Sequence, residues 1–304
     1  MPLNMEIKEK PKPKLIIFTT CKKFLGDDKW RQEQAIKSWT LLKGMEIKIV
    51  IIGNDEGTTE ICEKYNLLHE PKVKSFVNMP YLKSMFEIAY SHADDNDYIM
   101  WTNSDMIYYN DLIKTILKFD IVRKSNKLKE FLLVGGRHDW HNPKQIDDLS
   151  KEHFLKNIHI NEEKRREVCQ TDSNFYECSE HETTGIDYII HSKTTLINKF
   201  DEKLVIGGPR FDMILLGVGL TNGYFCCDCT KTNFVIHQNH GYPKDFRGYG
   251  QINKETKDKR QILLNILISN NHNCQGVLCW IHQCPILTHY KNNNIEFLVK
   301  KPVQ

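Results

Sequence analysis

Short apolar runs and amphipathic stretches alternate along the first half of this chain. Residues 14–20 carry Leu15-Ile16-Ile17-Phe18 behind a Pro-rich lead, the signature of a strand buried on both faces. Residues 30–42 place apolar side chains at 35, 39 and 42, with 36 and 41 beside them, a helical stripe that Gly44 closes. A second strand is predicted over 46–52. The polar turn Gly53-Asn54-Asp55-Glu56-Gly57 follows, then a short helix through Tyr65 with Thr58 or Thr59 as its cap. Residues 73–77 read as a third, weaker strand. Pro80 opens a helix through Ala93 that lines up Leu82, Met85, Phe86 and Ala89. Next comes the stretch DYIMWTNSDMIYYND, residues 97–111, where an apolar run breaks at Thr102-Asn103-Ser104-Asp105 and then resumes. A helix over 111–123 and a strand over 131–134 complete the half. Strictly alternating strands and helices predict a mostly parallel sheet with helices on both faces.

The pattern is lost from 138 to 184, a polar segment that suits either an insertion over the site or a solvated helical excursion. It returns as a strand over 185–190 and a short helix near 194–198. Gly207-Gly208-Pro209-Arg210-Phe211-Asp212 then leads into an apolar helix over 212–220. Strands are predicted at 224–227 and 234–236, the latter running into His237-Gln238-Asn239-His240. Beyond Pro243 the pattern offers one helix, over 257–269, and an irregular Cys-rich tail. The expected division is a flexible segment 1–13, one domain over 14–243 with the insertion at about 138–184, and an extension over 244–304.

Composition narrows the function classes. At 304 residues, 40% apolar and 27% charged, the chain has the balance of a globular protein. Its formal net charge of +3 gives no case for nucleic acid as a partner. No apolar run reaches the roughly 18 residues of a membrane span, and the charged, Pro-broken start has no apolar core for export. The expectation is a cytoplasmic protein without integral membrane association. Ten cysteines are scattered, which reads as mostly free thiols in a reducing compartment. Cys226, Cys227 and Cys229 have no C-x-x-C pair opposite them, which disfavours structural zinc.

The chemistry-bearing residues follow the predicted strands: Thr19-Thr20, Asn54-Asp55-Glu56, Asn103-Ser104-Asp105, and His237 to His240. A parallel sheet would gather the first three along its carboxyl edge, where such folds place ligands. A carboxylate at Asp105 suits a hard cation and, through it, the phosphates of a nucleotide. It also suits an ordinary turn. His237 reads as a core histidine or a ligand; His240, among Asn and Gly, is more site-like. Neither G-x-G-x-x-G after the first strand nor G-x-x-x-x-G-K-[ST] occurs, which argues against dinucleotide oxidoreductases and P-loop NTPases.

With these residues in place, the chain resembles the glycosyltransferases of GT-A type, the nucleotide-diphospho-sugar transferase superfamily, over roughly residues 14–242. The resemblance rests on the first strand with Thr19-Thr20, the helix with Arg31, Ala35, Ser38 and Trp39, the turn 53–57, Pro80-Tyr81-Leu82, Asn103-Ser104-Asp105 and His237–His240. It implies a GT-A-like fold and transfer of a sugar from a nucleoside-diphosphate sugar to an unidentified acceptor. It also implies an Asp-x-Asp-like motif holding Mn²⁺ or Mg²⁺. Here Asn103 stands at the first acidic position and Asp105 at the last. His240, or else His237, would add a metal ligand. Asp212 would be the general base, with Asp187 as second choice. Arg210 could alternatively assist the phosphates. Thr19, Thr20, Arg31, Asp55, Glu56, Asn103 and Ser104 would face the nucleotide. Two rivals remain: a nucleotidyltransferase that makes the sugar nucleotide, disfavoured by a single Gly in 21–29, and a non-catalytic nucleotide- or glycan-binding protein.

Overall fold

The computed structural model of the chain describes residues 11–76, 79–146, 178–181, 185–199, 202–206, 210–240, 279–292 and 294–300. The expected helix over 257–269, the loop Gly207-Gly208-Pro209 and most of the segment 138–184 lie outside the described residues.

Strands β1 (Leu15–Thr19), β2 (Ile47–Ile52) and β3 (Leu68–Glu70) alternate with helices α1 (Gly26–Thr40) and α2 (Thr58–Tyr65). A small hairpin of β4 (Ser75–Phe76) and β5 (Met79–Pro80) leads into α3 (Leu82–Ser91), then β6 (Tyr98–Thr102), β7 (Met106–Tyr108) and α4 (Asp111–Ser125). The rest comprises β8 (Phe131–Val134), β9 (His138–Trp140), β10 (Cys178–Glu180), β11 (Tyr188–Ser192), α5 (Phe211–Thr221), β12 (Phe225–Asp228), β13 (Val235–Gln238), β14 (Ile286–Lys291) and β15 (Asn294–Val299).

Nine of these strands form one sheet in the order β15-β14-β12-β8-β11-β6-β1-β2-β3. The pairs β2–β3, β1–β2, β1–β6, β8–β12 and β12–β14 are parallel. Strand β11 runs antiparallel to both neighbours, β6 and β8, and β15 runs antiparallel to β14. The architecture is therefore a mixed α/β fold with a large, mostly parallel sheet.

Period-two alternation decides which helix each strand residue meets. Leu15, Ile17, Ile49, Ile51, Tyr98 and Met100 pack on one face against Ala35, Ile36 and Trp39 of α1, Ile61 of α2 and Ile113, Ile116 and Phe119 of α4. Their sequence neighbours Ile16, Phe18, Val50, Ile52, Ile99 and Trp101 pack on the other, against Leu82 and Phe86 of α3 and Ile214, Leu215 and Val218 of α5. Both faces are covered, which is why these strands read as unbroken apolar runs.

Several local expectations are corrected. The third strand of the main sheet is Leu68–Glu70, paired with β2, whereas 75–76 belong to the hairpin. As an edge strand, β3 needs only backbone pairing on one side, so Leu-His-Glu carries no apolar run to betray it. Neither Thr58 nor Thr59 caps α2. The cap is Gly57, left-handed at φ 87°, and a Cβ there would lie 2.7 Å from that of Phe24. Within the tail, β14 and β15 extend the main sheet, with Cys227 opposite Ile286. Of the eight described cysteines, seven are free thiols and Cys279 is disulfide-bonded.

A second sheet of four strands, ordered β10-β9-β13-β7, stands beside the first. Ile107, Tyr109, Trp140, Phe234 and Ile236 form its own small core. Helix α1 fastens the two together through buried polar groups. Trp39 Nε1 donates to Met106 O at 2.8 Å, Ser38 Oγ accepts from Tyr108 N, and Gln34 donates to Gln238 Oε1 at 3.0 Å. Among the described residues no helix is long and apolar enough to cross a membrane.

Candidate active site

The chain leaves the main sheet at Thr102, turns through Asn103-Ser104-Asp105 and enters the second sheet at Met106. The break in the apolar run is thus a change of sheet, and Asp105 sits in the corner between them. Strand β13 pairs antiparallel with β7, setting His237 opposite Met106, one residue from that corner. Gln238 locks it there: its Nε2 donates to Asp105 O at 3.0 Å and to Arg31 O at 2.9 Å.

Three side chains converge as a result. His240 Nε2 lies 3.0 Å and His237 Nε2 3.5 Å from Asp105 Oδ2. One ligand atom from each of the three falls within 4.8 Å of the others, the one such His/Cys/Asp/Glu group among the described residues. Burial alone would push the Asp105 carboxyl upward, but the His237 charge and the hydrogen bonds from both imidazoles hold it well below the usual range. Burial likewise opposes the charged form of His237, yet Asp105 prevails and carries the imidazole to about 10. Asp105 Oδ1 is buried with no partner in the protein, which is costly unless something outside the chain coordinates it. An orphaned carboxylate oxygen beside two convergent imidazole nitrogens fits a divalent cation of Mn²⁺ or Mg²⁺ type, with positions left for substrate oxygens.

A chain of charges runs from this cluster across the sheet. His237 Nδ1 faces Asp139 Oδ1 at 3.2 Å and Asn239 Oδ1 at 2.7 Å. Asp139 accepts from Arg137 Nε at 2.9 Å and pairs with His181 Nδ1 at 2.6 Å. Arg137 also donates to Asp187 Oδ2, and Asp187 Oδ1 accepts from Asn103 Nδ2 at 2.6 Å. The Asn103 amide is therefore directed at Asp187. At the position where the resemblance expected a first metal carboxylate, the amide donates to a neighbouring carboxylate.

Asp212 stands at the start of α5, half-buried. Loss of hydration pushes its carboxyl up to about 7, and the Asp187 charge adds to this against the backbone N–H groups of Met213 and Ile186. The left-handed Arg210, at φ 68°, occupies the cap position, so Asp212 is not the helix cap.

The remaining sequence candidates fall into two groups. Thr19 is buried, and its hydroxyl donates to Thr102 O at 2.7 Å, so it ties β1 to β6. Ser104 Oγ donates to Gln32 Oε1 at 2.9 Å, fixing the turn to α1. Thr20 lies beside Gly53, and Asp55 and Glu56 follow in the turn after β2, all at the carboxyl edge of the parallel strands. The Cys21 thiol, pushed up mainly by burial, also feels the charges of Asp55 and Asp105. Arg31 pairs with Asp27 at 3.2 Å and lies over the Trp30 ring, while its Nε is buried without a partner.

Sequence reasoning missed Arg137, Asp139 and His181. Arg137-His138-Asp139-Trp140 alternates half-buried and buried, with His138 and Trp140 buried and Asp139 on the opposite face, but three polar residues and one aromatic at the edge of a polar segment are a faint strand signal.

No family model matches the chain, and no curated protein does. Among solved structures it is similar to S. aureus TarS at 12% identity and a TM-score of 0.45, over 74% of this chain and 37% of that one. Another TarS structure, 14% identical with a TM-score of 0.33 over 43% of this chain and 36% of that one, is a complex with UDP-GlcNAc. It is also similar to Mycobacterium tuberculosis glucosyl-3-phosphoglycerate synthase in complex with Mn²⁺, UDP and phosphoglyceric acid. There the identity is 11% and the TM-score 0.47, over 95% of this chain and 87% of that one. The chain spans 36% to 58% of the length of the TarS chains it matches.

Proposed function

We propose that this protein is a glycosyltransferase of GT-A type that moves a sugar from a nucleoside-diphosphate sugar to an acceptor hydroxyl. The observation that carries the reading is the convergence of His237 and His240 on Asp105 Oδ2, beside the orphaned Asp105 Oδ1, at the carboxyl end of a parallel strand. In this reading those three side chains hold Mn²⁺ or Mg²⁺. A bound ion would compensate the charge that gathers on a departing diphosphate. Thr20, Asp55 and Glu56, at the ends of β1 and β2, line the donor side, with Arg31 beside them.

Asp212 accepts the proton of the acceptor hydroxyl. A carboxyl held near 7 is half ionised at neutral pH and basic enough to take that proton as the new bond forms. Asp187, the other candidate, has one oxygen on Arg137 and one on Asn103, so its role is to hold those groups and to raise Asp212.

The test is transfer or hydrolysis of a panel of sugar nucleotides with Mn²⁺. Turnover that chelation abolishes and metal restores, and that Asp105→Asn removes, supports the reading. Nucleotide binding without turnover of any donor overturns it in favour of a non-catalytic binding protein.

A further inference from the structure

We infer that Asp139 is a positioning residue for the metal site, fixing the proton of His237 on Nδ1 so that Nε2 presents its lone pair to the cation. This deepens the proposed metal site and rests on it. In the parallel pairing of β9 with β13, Asp139 stands opposite His237, and the two side chains meet on the face of the small sheet turned away from its core. His138 and Trp140 occupy the core face, which leaves Asp139 directed at the site by the strand's own period.

The tautomer follows from what each neighbour can do. An imidazole that binds a cation through Nε2 must carry its proton on Nδ1. Asn239 lies closer, with Oδ1 at 2.7 Å, but an amide presents an acceptor or a donor depending on its rotation. Asp139 is surrounded by Arg137 Nε at 2.9 Å and His181 Nδ1 at 2.6 Å. A carboxylate so placed only accepts. It therefore dictates the Nδ1–H form of His237 and, by accepting that proton's bond, makes Nε2 a stronger ligand. Arg137, shared with Asp187, keeps Asp139 from swinging away.

Mn²⁺ alone is the probe. Its affinity is measured by calorimetry, and the imidazole nitrogens coupled to bound Mn²⁺ by pulsed EPR, for the full chain and for Asp139→Asn. The expected result is a tenfold or greater loss of affinity, with one of two coupled nitrogens lost at matched thermal stability. A purely structural role, or simple loss of a nearby negative charge, would not remove a nitrogen coupling selectively. Asn239→Asp, at a half-buried position already in contact with Nδ1, supplies a second carboxylate and is expected to restore both readouts in the Asp139→Asn background. Should Asp139→Asn not fold, Asn239→Asp in the otherwise native chain carries the test: tighter Mn²⁺ binding with both nitrogens kept supports the role, and unchanged affinity overturns it. Native affinity and coupling in Asp139→Asn also overturn the inference while leaving the metal site intact. Failure of the native chain to bind Mn²⁺ overturns the metal site itself.

Discussion

Replacing Asp212 with Asn should make the protein more stable and far less active, each with a defined pH dependence. Folding raises the carboxyl of Asp212 from 3.8 to about 7, chiefly by burial. A group whose pKa rises on folding binds its proton more readily in the folded chain. Its contribution to stability therefore falls as pH climbs from 3.8 toward 7 and is constant above. A displacement of about three pH units at about 1.36 kcal/mol each gives a ceiling of about 4 kcal/mol. The group is half-buried, and Asn keeps a single acceptor oxygen for the N–H groups of Met213 and Ile186, so the expected gain is about 2 kcal/mol. Chemical denaturation of both proteins from pH 4 to 8 should show curves that coincide near pH 4 and separate up to pH 7, then run parallel. If the proposed transfer holds, kcat of the native chain should rise with pH to a plateau above about 7, and the variant should lose about 10²–10⁴ of it. A stability difference that is flat with pH, or a variant as active as the native chain, would refute the reasoning about this carboxyl.

Three further outcomes follow from the same geometry. Asn103→Asp puts two carboxylates where an amide now donates to Asp187 at 2.6 Å; melting should drop by the equivalent of about 1–3 kcal/mol at pH 8 and recover near pH 4, as one carboxyl takes a proton. Tighter Mn²⁺ binding without loss of stability would show instead that residue 103 faces the metal. His191 is buried against Phe86, donates from Nδ1 to Ser192 O at 2.8 Å, and burial lowers its pKa from 6.5 to about 4. The neutral form is favoured on folding, so its contribution is present above 6.5 and lost as pH falls toward 4, about 3 kcal/mol in all; an imidazole NMR signal for His191 that titrates near 6.5 in the folded protein would contradict this. Gly57→Ala adds a Cβ at a left-handed position 2.7 Å from Phe24 Cβ, and should cost about 1–3 kcal/mol in denaturant unfolding, whereas a neutral effect would mean the turn after β2 is not held as described.

Much of this protein is written in one dimension. The apolar runs at 15–18, 49–52, 98–101 and 131–134 are legible because strands covered on both faces must be apolar throughout, and the helical stripes between them because each helix buries one side. Asp105, His237, His240 and Asp212 also stand out locally, as polar residues following apolar runs or opening an apolar helix. Edge strands such as β3 and β15 do not, since a strand that buries little carries little pattern, and β9, three residues long, is too short to show one. Nor does the polar face of α1, where Gln34 and Ser38 are buried because their partners Gln238 and Tyr108 arrive from the second sheet.

The sequence alone determined the alternating fold and which residue types could bear the chemistry. Only the tertiary structure decided their surroundings. It set His237 beside both Asp105 and Asp139, turned Asn103 toward Asp187, and drew Arg137 between two carboxylates. Asp105 and His237 are separated by more than a hundred positions and joined by one antiparallel pairing between β7 and β13. Secondary structure is governed by near neighbours along the chain, whereas the charge on a side chain is governed by near neighbours in space.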